Sequence, residues 1–160
     1  MAKNTKNKEV GAEPTKKTVD VTVTKQEKED FLTGLVVNNR ATKTVPIVKG
    51  KLDVVFSSIS AADQLEVEQI VSTMKTSAQH TLHTYALLLL GKGLDTYGDV
   101  DMTTLSAEEV KTFIEDLPAP IIDKLVKEQH KFNKQVQAII DPEAIEEVFF
   151  AQASDSQKQS

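Results

Sequence analysis

The feature that most constrains the fold is a run of apolar residues between positions 60 and 90 that never leaves a helical phase. Ser60 and Asp63 open it with an S-x-x-D pattern, whose side chains satisfy the first amides of a helix. The spacing therefore predicts one long helix from about Ser60 to Leu90, and Gly91 follows as a typical helix end. The apolar positions that share its face are Val67, Ile70, Val71, Met74, Ala78, Leu82, Tyr85, Ala86 and Leu89.

Two details of this run bear on how it packs. The hydroxyl-rich stretches Ser72-Thr73 and Thr76-Ser77 are where we expect a bend or a break, because short hydroxyl side chains compete for backbone groups. Leucines occupy positions 87 to 90, and four consecutive leucines cover every side of a helix. Leu87 and Leu88 therefore need cover away from the main apolar face, either beneath other parts of the fold or against a partner.

The residues before the run predict a small antiparallel β unit over positions 35–59. Leu35–Val37 and Thr44–Val48 are rich in residues that favour strands, and a Lys-Gly turn signal follows the second segment. Pro46 has no N–H, so its strand is expected at a sheet edge. A further alternating strand begins at Leu52, with Val54 and Phe56 on the same side.

The residues after the run predict further helices, so that helical structure extends over 60–150. Ser106 and Glu109 form a second capping box before a short amphipathic helix. Apolar residues then keep helical spacing to Ile140, and Asp141-Pro142 predicts the start of a last short helix. The expected fold class is mainly α, with a long central helix and a small N-terminal antiparallel β unit (α+β).

The two ends of the chain are polar and differ from the middle. We expect a single domain over 31–150, an arm over 1–30 that is flexible or ordered by a partner, and a polar tail over 151–160. Thr18–Thr24 alternates, which fits an arm that adds a strand to a neighbouring sheet or a local edge strand. Its apolar side is Val19, Val21 and Val23, and Phe31 follows as an apolar anchor.

Composition excludes several classes of function. The chain has no Cys, which removes disulfides, thiolate zinc sites and a cysteine nucleophile. Its net charge is −5, and Arg40 is its single arginine, so the acidic body is poorly suited to nucleic acid. No apolar run approaches the roughly 20 residues of a membrane span. The first residues lack the apolar segment of a signal peptide, and we expect a soluble protein.

Polar constellations give no strong site. His80 and His83 lie one helical turn apart, as metal ligands can, but partly buried histidines with hydrogen-bond partners are the simpler interpretation. Asp95, Asp99 and Asp101 lack the spacing and the final Glu of a calcium loop, so a solvated turn with Asx capping is favoured. Neither a catalytic serine nor a carboxylate pair has a suitable context. We expect no enzyme activity, no cofactor and no metal.

The order of these elements resembles that of small tail-assembly proteins of tailed bacteriophages. These are the tail assembly chaperones and the baseplate-hub assembly subunits of contractile-tailed phages. The pattern is a polar arm, a short β segment that leads into a helix start over 51–65, and a long helix that ends in Tyr85–Gly91. After a loop, a pair of helices punctuated by Leu-Pro follows over 113–125. The resemblance covers about residues 50–140.

This resemblance implies a non-enzymatic adaptor that acts by protein–protein contacts in phage tail or baseplate assembly. The implied partners are other tail proteins, such as hub or tape-measure components, or further copies of the chain, and neither nucleic acid nor membrane. The implied location is the host cytoplasm during assembly, and the virion tail or baseplate for a hub subunit. The expected contact residues are Val19, Val21, Val23, Phe31, Leu87 and Leu88. The alternative is a helical ligand-binding or regulatory adaptor domain unrelated to phage.

Overall fold

The computed structural model describes residues 22–140, and in that range five helices accompany one four-stranded antiparallel sheet. The predicted mainly α class with a small antiparallel β unit is confirmed. In chain order the elements are α1 (Lys25–Asn38), β1 (Thr42–Val48), β2 (Leu52–Ser57), α2 (Ala61–Ser72), α3 (Ala78–Gly93), β3 (Leu94–Tyr97), β4 (Val100–Asp101), α4 (Ala107–Glu115) and α5 (Ala119–Ile140). A 3-10 turn at Met102–Thr104 precedes α4.

The sheet has the order β1-β2-β3-β4. β1 and β2 pair as predicted for the antiparallel β unit, with Val45 opposite Val54 and the turn at Gly50, whose φ of 69° suits glycine. β3 pairs with β2 on its other side, and β4 follows β3 across a turn at Gly98. The sequence predicted only a connection over residues 94–104, because strands of four and two residues carry too little pattern to be recognised.

The predicted strand at Leu35–Val37 is wrong, because these residues form the end of α1. A capping box between Thr24 and Glu27 starts this helix at Lys25, inside the segment expected to be an arm. Once the helix is started and Phe31 is buried, the local β preference of two valines does not decide the structure. Residues 22–24 likewise belong to no strand, and the rest of the predicted strand Thr18–Thr24 lies outside the described residues.

The single long helix predicted from Ser60 to Leu90 is also wrong, because it is divided into α2 and α3. The division falls in the hydroxyl-rich stretch where a break was expected. The Thr73 hydroxyl donates to the Ile70 carbonyl at 2.7 Å, and Ser77 caps α3 by accepting from the His80 amide at 3.3 Å. These bonds replace helical ones, so the chain reverses and the two helices pack side by side.

The core lies between the sheet and α5, and α1, α3 and α4 close it. Phe31 of α1 meets Phe132 of α5 edge to face, with ring centroids 5.4 Å apart. Tyr97 of β3 meets Phe113 of α4 in the same geometry at 5.2 Å. The predicted capping boxes at Ser60 and Ser106 are confirmed, and each fixes the start of a helix around this core.

The last described residue is Ile140, so the helix predicted from Asp141-Pro142 and the polar tail lie outside the described residues. None of the helices within residues 22–140 combines the length and apolar character needed to cross a membrane.

Candidate binding groove

The antiparallel pair α2 and α3, which we call the hairpin, buries few of its residues. Within the described chain, α2 buries Val67 and α3 buries Leu90 and Gly93. An ion pair of 2.7 Å between Glu66 and Lys92 joins the two helices of the hairpin. Most of its other apolar side chains are exposed or only partly buried, so this region has apolar surface that its own fold does not cover.

Part of that surface faces a groove with a volume of about 1060 Å³. α3 is the floor, α2 is one wall, and the opposite wall is α4 together with the 3-10 turn. We call this the hairpin groove. The partly buried and exposed apolar side chains that line it include Ile70, Met74, Leu87, Leu88, Leu105 and Ile122. The floor follows one face of α3, since His80, Thr84, Leu88 and Gly91 recur at steps of three or four residues.

The four consecutive leucines divide among the sides of α3. Leu90 is fully buried in the core, and Leu89 is partly buried. Leu87 lines the hairpin groove and packs at the edge of the core, while its neighbour Leu88 lines the groove and is only partly buried. Counting positions around one helix predicted that these two residues need cover away from the main apolar face, and the core supplies part of it for Leu87. Whether a partner supplies that cover stays a prediction.

A polar network closes one end of the hairpin groove. Arg40 donates to Asp63 at 2.9 Å and to the Ser57 hydroxyl at 3.3 Å, and that hydroxyl donates to Asp95 at 2.8 Å. Asp63 also accepts from the Ser60 hydroxyl at 2.6 Å. Burial acts to raise the pKa of Asp63, but the hydrogen bonds from Ser60 and the charge of Arg40 outweigh it and lower the pKa. The network therefore fixes the start of α2 against the sheet.

The polar side chains of this region are engaged with one another. Ser57 is fully buried, and its hydroxyl is bonded to a guanidinium and a carboxylate instead of a histidine. His80 and His83 both line the groove. In the part of the chain that the structure describes, no three His, Asp or Glu side chains lie close enough together to hold a metal ion.

The expected aspartate loop is a capped turn. Asp101 accepts from the Thr103 amide at 3.0 Å and from the Thr103 hydroxyl at 2.6 Å, which is the Asx capping favoured by the sequence. Asp95 belongs instead to the polar network beside the hairpin groove. Asp101 therefore caps a turn, whereas Asp95 accepts a hydrogen bond from the sheet.

The six residues expected to contact partners fall in different places. Leu87 and Leu88 lie together in the hairpin groove. Phe31 is only 2% exposed and Val23 packs against the same core, beside the C-terminal half of α5. Both side chains therefore pack within this chain. Val19 and Val21 lie outside the described residues, and their role stays a prediction.

Sequence reasoning missed other residues of the groove. Ile70 and Met74 were assigned to the main apolar face of one long helix, but the break after α2 places them on a groove wall. Leu82 was assigned to that face too, yet it is 70% exposed and does not line the groove. The hydroxyl-rich stretch was the sequence signal for the break between α2 and α3. The position of Arg40 beside the groove had no such signal, because its partner Asp63 lies 23 residues away.

The outer edge of the sheet is a poor site for strand addition. β1 is an edge strand, as Pro46 predicted. Pro46 has no amide hydrogen, and the Ile47 carbonyl accepts a hydrogen bond from Lys124 of α5. Beside this edge lies a smaller cleft of about 270 Å³, lined by the cationic side chains Lys43, Lys124 and Lys131. Its lining also includes the apolar residues Val45, Pro46 and Phe132 and one acidic residue, Glu128.

Comparison with known proteins gives no relative: no family model, no curated protein and no solved structure matches this chain. The hairpin groove is the larger of the two concave surfaces described, and incompletely buried apolar side chains such as Ile70, Leu87 and Leu88 line it.

Proposed function

We propose that this chain is a non-enzymatic adaptor that binds a helical segment of a partner protein in the hairpin groove. We further propose that it works in tail or baseplate assembly of a tailed bacteriophage, as a tail assembly chaperone or a hub subunit. The observation that supports binding is the open groove of about 1060 Å³ with Leu87, Leu88 and Ile70 in its lining. The phage setting is supported by the order of the sequence elements alone.

A helix suits the groove for geometric reasons. The groove runs along three turns of α3 between two walls, and the α3 residues that line it are exposed or partly buried along that length. An α-helix is about 10 Å across with its side chains and presents one apolar stripe. Laying that stripe between two helices is a common mode of peptide recognition. Each apolar Å² removed from water contributes roughly 25 cal/mol before the costs of association.

The proposed partners are tail proteins such as hub or tape-measure components, or further copies of the chain. As a chaperone the protein would act in the host cytoplasm and leave the finished particle. As a hub subunit it would remain in the virion tail or baseplate. These two roles share one binding surface and differ in whether the complex persists.

A second candidate is a ligand-binding or regulatory domain unrelated to phage. It is favoured by the polar network of Arg40, Asp63 and Asp95 at one end of an apolar groove, since convergent polar groups orient small ligands. Against it, small ligands are usually held in cavities that bury most of their surface. The hairpin groove is an open one, and Glu108 and Glu115 on its α4 wall are exposed, so we prefer the helical partner.

The test is co-purification with the tail proteins encoded beside this gene, with the full chain as bait. We expect a complex with the wild-type chain, loss of the complex with Leu88→Asp, and retention with Leu82→Asp. Both substitutions lie on α3, but only Leu88 lines the groove. Circular dichroism and urea unfolding would show that both variants are folded.

Two results would contradict the proposal. A complex that Leu88→Asp leaves unchanged would place the binding surface elsewhere. A gene without neighbouring tail genes, whose product captures no helical partner, would remove the phage setting and favour the regulatory alternative.

A further inference from the structure

We infer that the helix bound in the hairpin groove is basic, with Lys or Arg along both flanks of an apolar stripe. This inference rests on the proposed function and names the chemical class of the partner. It follows from how charge is distributed around the groove, which is independent of the apolar lining that suggested a helix.

The walls of the hairpin groove are acidic and its floor is not. α2 contributes Asp63 and Glu66, and α4 contributes Glu108 and Glu115, while α3 between them has no acidic residue. Among the described residues that line the groove, five carry carboxylates and three carry cations, which leaves a net charge of −2. The pattern is an apolar centre with an acidic rim, as expected for a charged partner surface.

The local ion pairs leave part of this acidic charge free for a partner. Asp63 is satisfied by Arg40 in the closed end of the groove. Glu66 pairs with Lys92 but keeps a side chain that is 56% exposed, and Glu108 is 82% exposed with its Lys111 partner 3.7 Å away. Such exposed pairs exchange readily for other partners because they contribute little stability. A basic helix can therefore approach both walls.

The two walls also set the geometry of the partner. The face of α3 that forms the floor runs from His80 to Lys92, about 18 Å at 1.5 Å per residue. A partner helix of roughly 12 to 16 residues would cover it, with leucine-like side chains over Leu87, Leu88 and Ile70. Its flanking cations would then lie near Glu66 on α2 and near Glu108 on α4. Charge of this kind mainly selects the partner and speeds its association.

The opposite charge is found elsewhere on the same molecule. The smaller cleft beside β1 is lined by Lys43, Lys124 and Lys131 with Glu128 as its acid. An acidic segment would be attracted to that cleft and repelled from the groove walls. Binding of acidic and basic peptides can therefore be compared between two surfaces of opposite charge on the same protein.

The experiment uses two synthetic 18-residue peptides with the full chain. Both carry Leu at helical spacing i, i+3, i+4 and i+7; one has Lys at the flanking positions and the other Glu. Calorimetry at low and high salt measures each Kd. We expect the Lys peptide to bind at least about tenfold more tightly than the Glu peptide at low salt, and the difference to shrink at high salt.

Charge reversal on the α4 wall then localises the effect. The double variant Glu108→Lys with Glu115→Lys should weaken the Lys peptide about tenfold or more. The matched control is Glu29→Lys with Asp53→Lys, which changes the net charge equally at exposed residues outside the groove. That control should leave the Kd within about twofold, because exposed charges far from the peptide are screened.

Several results would overturn the inference. One is equal affinity for the two peptides while Leu88→Asp abolishes both, which would leave the proposed helix-binding function intact. Another is an equal loss in the control variant, which would mean that net charge alone attracts the peptide. A third is a chain that self-associates until Ile70→Asp makes it monomeric in ultracentrifugation, since a second copy would then occupy the groove. If neither peptide binds, and Leu88→Asp leaves the co-purification of tail proteins unchanged, the proposed function fails as well.

Discussion

The α5 helix and the hairpin have comparable amounts of helix but bury very different shares of it. α5 has 22 residues and buries six of them, whereas α2 and α3 have 12 and 16 residues and together bury three. Both regions carry apolar residues at helical spacing, but those of α5 gather on one face, whereas those of α2 and α3 are spread around each helix. The difference is that the chain folds its sheet and α1 over α5 but leaves one side of the hairpin open.

This contrast separates two uses of apolar helical residues. An apolar stripe that the chain covers by itself contributes to stability, and one that it leaves uncovered costs solubility unless a partner covers it. Substitutions at the two regions should therefore have different consequences. Those around α5 should change the free energy of unfolding, and those in the hairpin groove should change binding.

The largest expected effect is on the α5 side. Phe132→Ala removes a side chain that is 1% exposed and packs edge to face on Phe31. We expect a loss of about 3–5 kcal/mol in the free energy of unfolding, because a cavity remains in the core. Urea denaturation followed by circular dichroism measures it. Leu82→Ala on exposed α3 is the control, with an expected change within about 0.5 kcal/mol; equal losses would contradict the contrast.

The next effect tests where the hairpin is tied to the core. A Cβ at Gly93 would stand 2.9 Å from the Ser57 carbonyl oxygen and 2.5 Å from the side-chain Nε2 of Gln129. Gly93→Ala should therefore destabilise the fold by about 1–3 kcal/mol through overpacking. At Gly91 the nearest atom would be Val110 Cγ1 at 3.4 Å, so Gly91→Ala should be neutral or stabilising, since Ala favours helix. Thermal unfolding of both variants decides, and a Gly93→Ala protein as stable as wild type would show that this junction is loose.

The sequence predicted those parts of the fold that short-range chemistry decides. Strand β1 followed from its strand-favouring residues and β2 from alternation, and the capped starts at Ser60 and Ser106 followed from residues three apart. The strand expected at Leu35–Val37 failed because a cap eleven residues upstream, at Thr24, and the burial of Phe31 made the segment helical. β3 was not foreseen because four residues become a strand only by pairing with β2.

The candidate site was predictable to a smaller extent. Leu87 and Leu88 could be found because counting around one helix shows that they lack cover. The groove itself depends on α2 folding back on α3 and on α4 packing along the other side, which are long-range events. Its acidic rim likewise brings residues 66 and 108 to opposite walls of one groove, and no local pattern records that relation.

A smaller effect concerns acid stability on the α5 side. Lys43 donates to Glu27 at 2.6 Å, and with the Thr24 amide it lowers the pKa of Glu27 from 4.5 to about 2. A lowered folded-state pKa stabilises the fold above pH 4.5, and this contribution disappears as the pH falls from 4.5 to 2. We expect about 1 kcal/mol, because the pair is partly solvated.

The measurement for this prediction is the free energy of unfolding against pH. Glu27→Gln should be less stable than wild type at pH 7 and should reach the same stability near pH 2. The hairpin offers a comparison, since Asp63 also has a lowered pKa and its loss should follow the same direction. Parallel curves for Glu27→Gln and wild type across this range would show that the Lys43 pair does not stabilise the fold.

The smallest expected change in stability comes from the groove wall. Ile70 is 43% exposed and lines the hairpin groove, whereas Leu65 is 56% exposed on the same helix and does not line it. Ile70→Ser and Leu65→Ser should each alter the free energy of unfolding by less than about 1 kcal/mol, because neither side chain is held in the core. Binding of the Lys-flanked peptide should nevertheless weaken severalfold for Ile70→Ser and stay unchanged for Leu65→Ser. If both variants bound equally well, the open side of the hairpin would be surface without a partner, and apolar exposure alone would not mark a site on this chain.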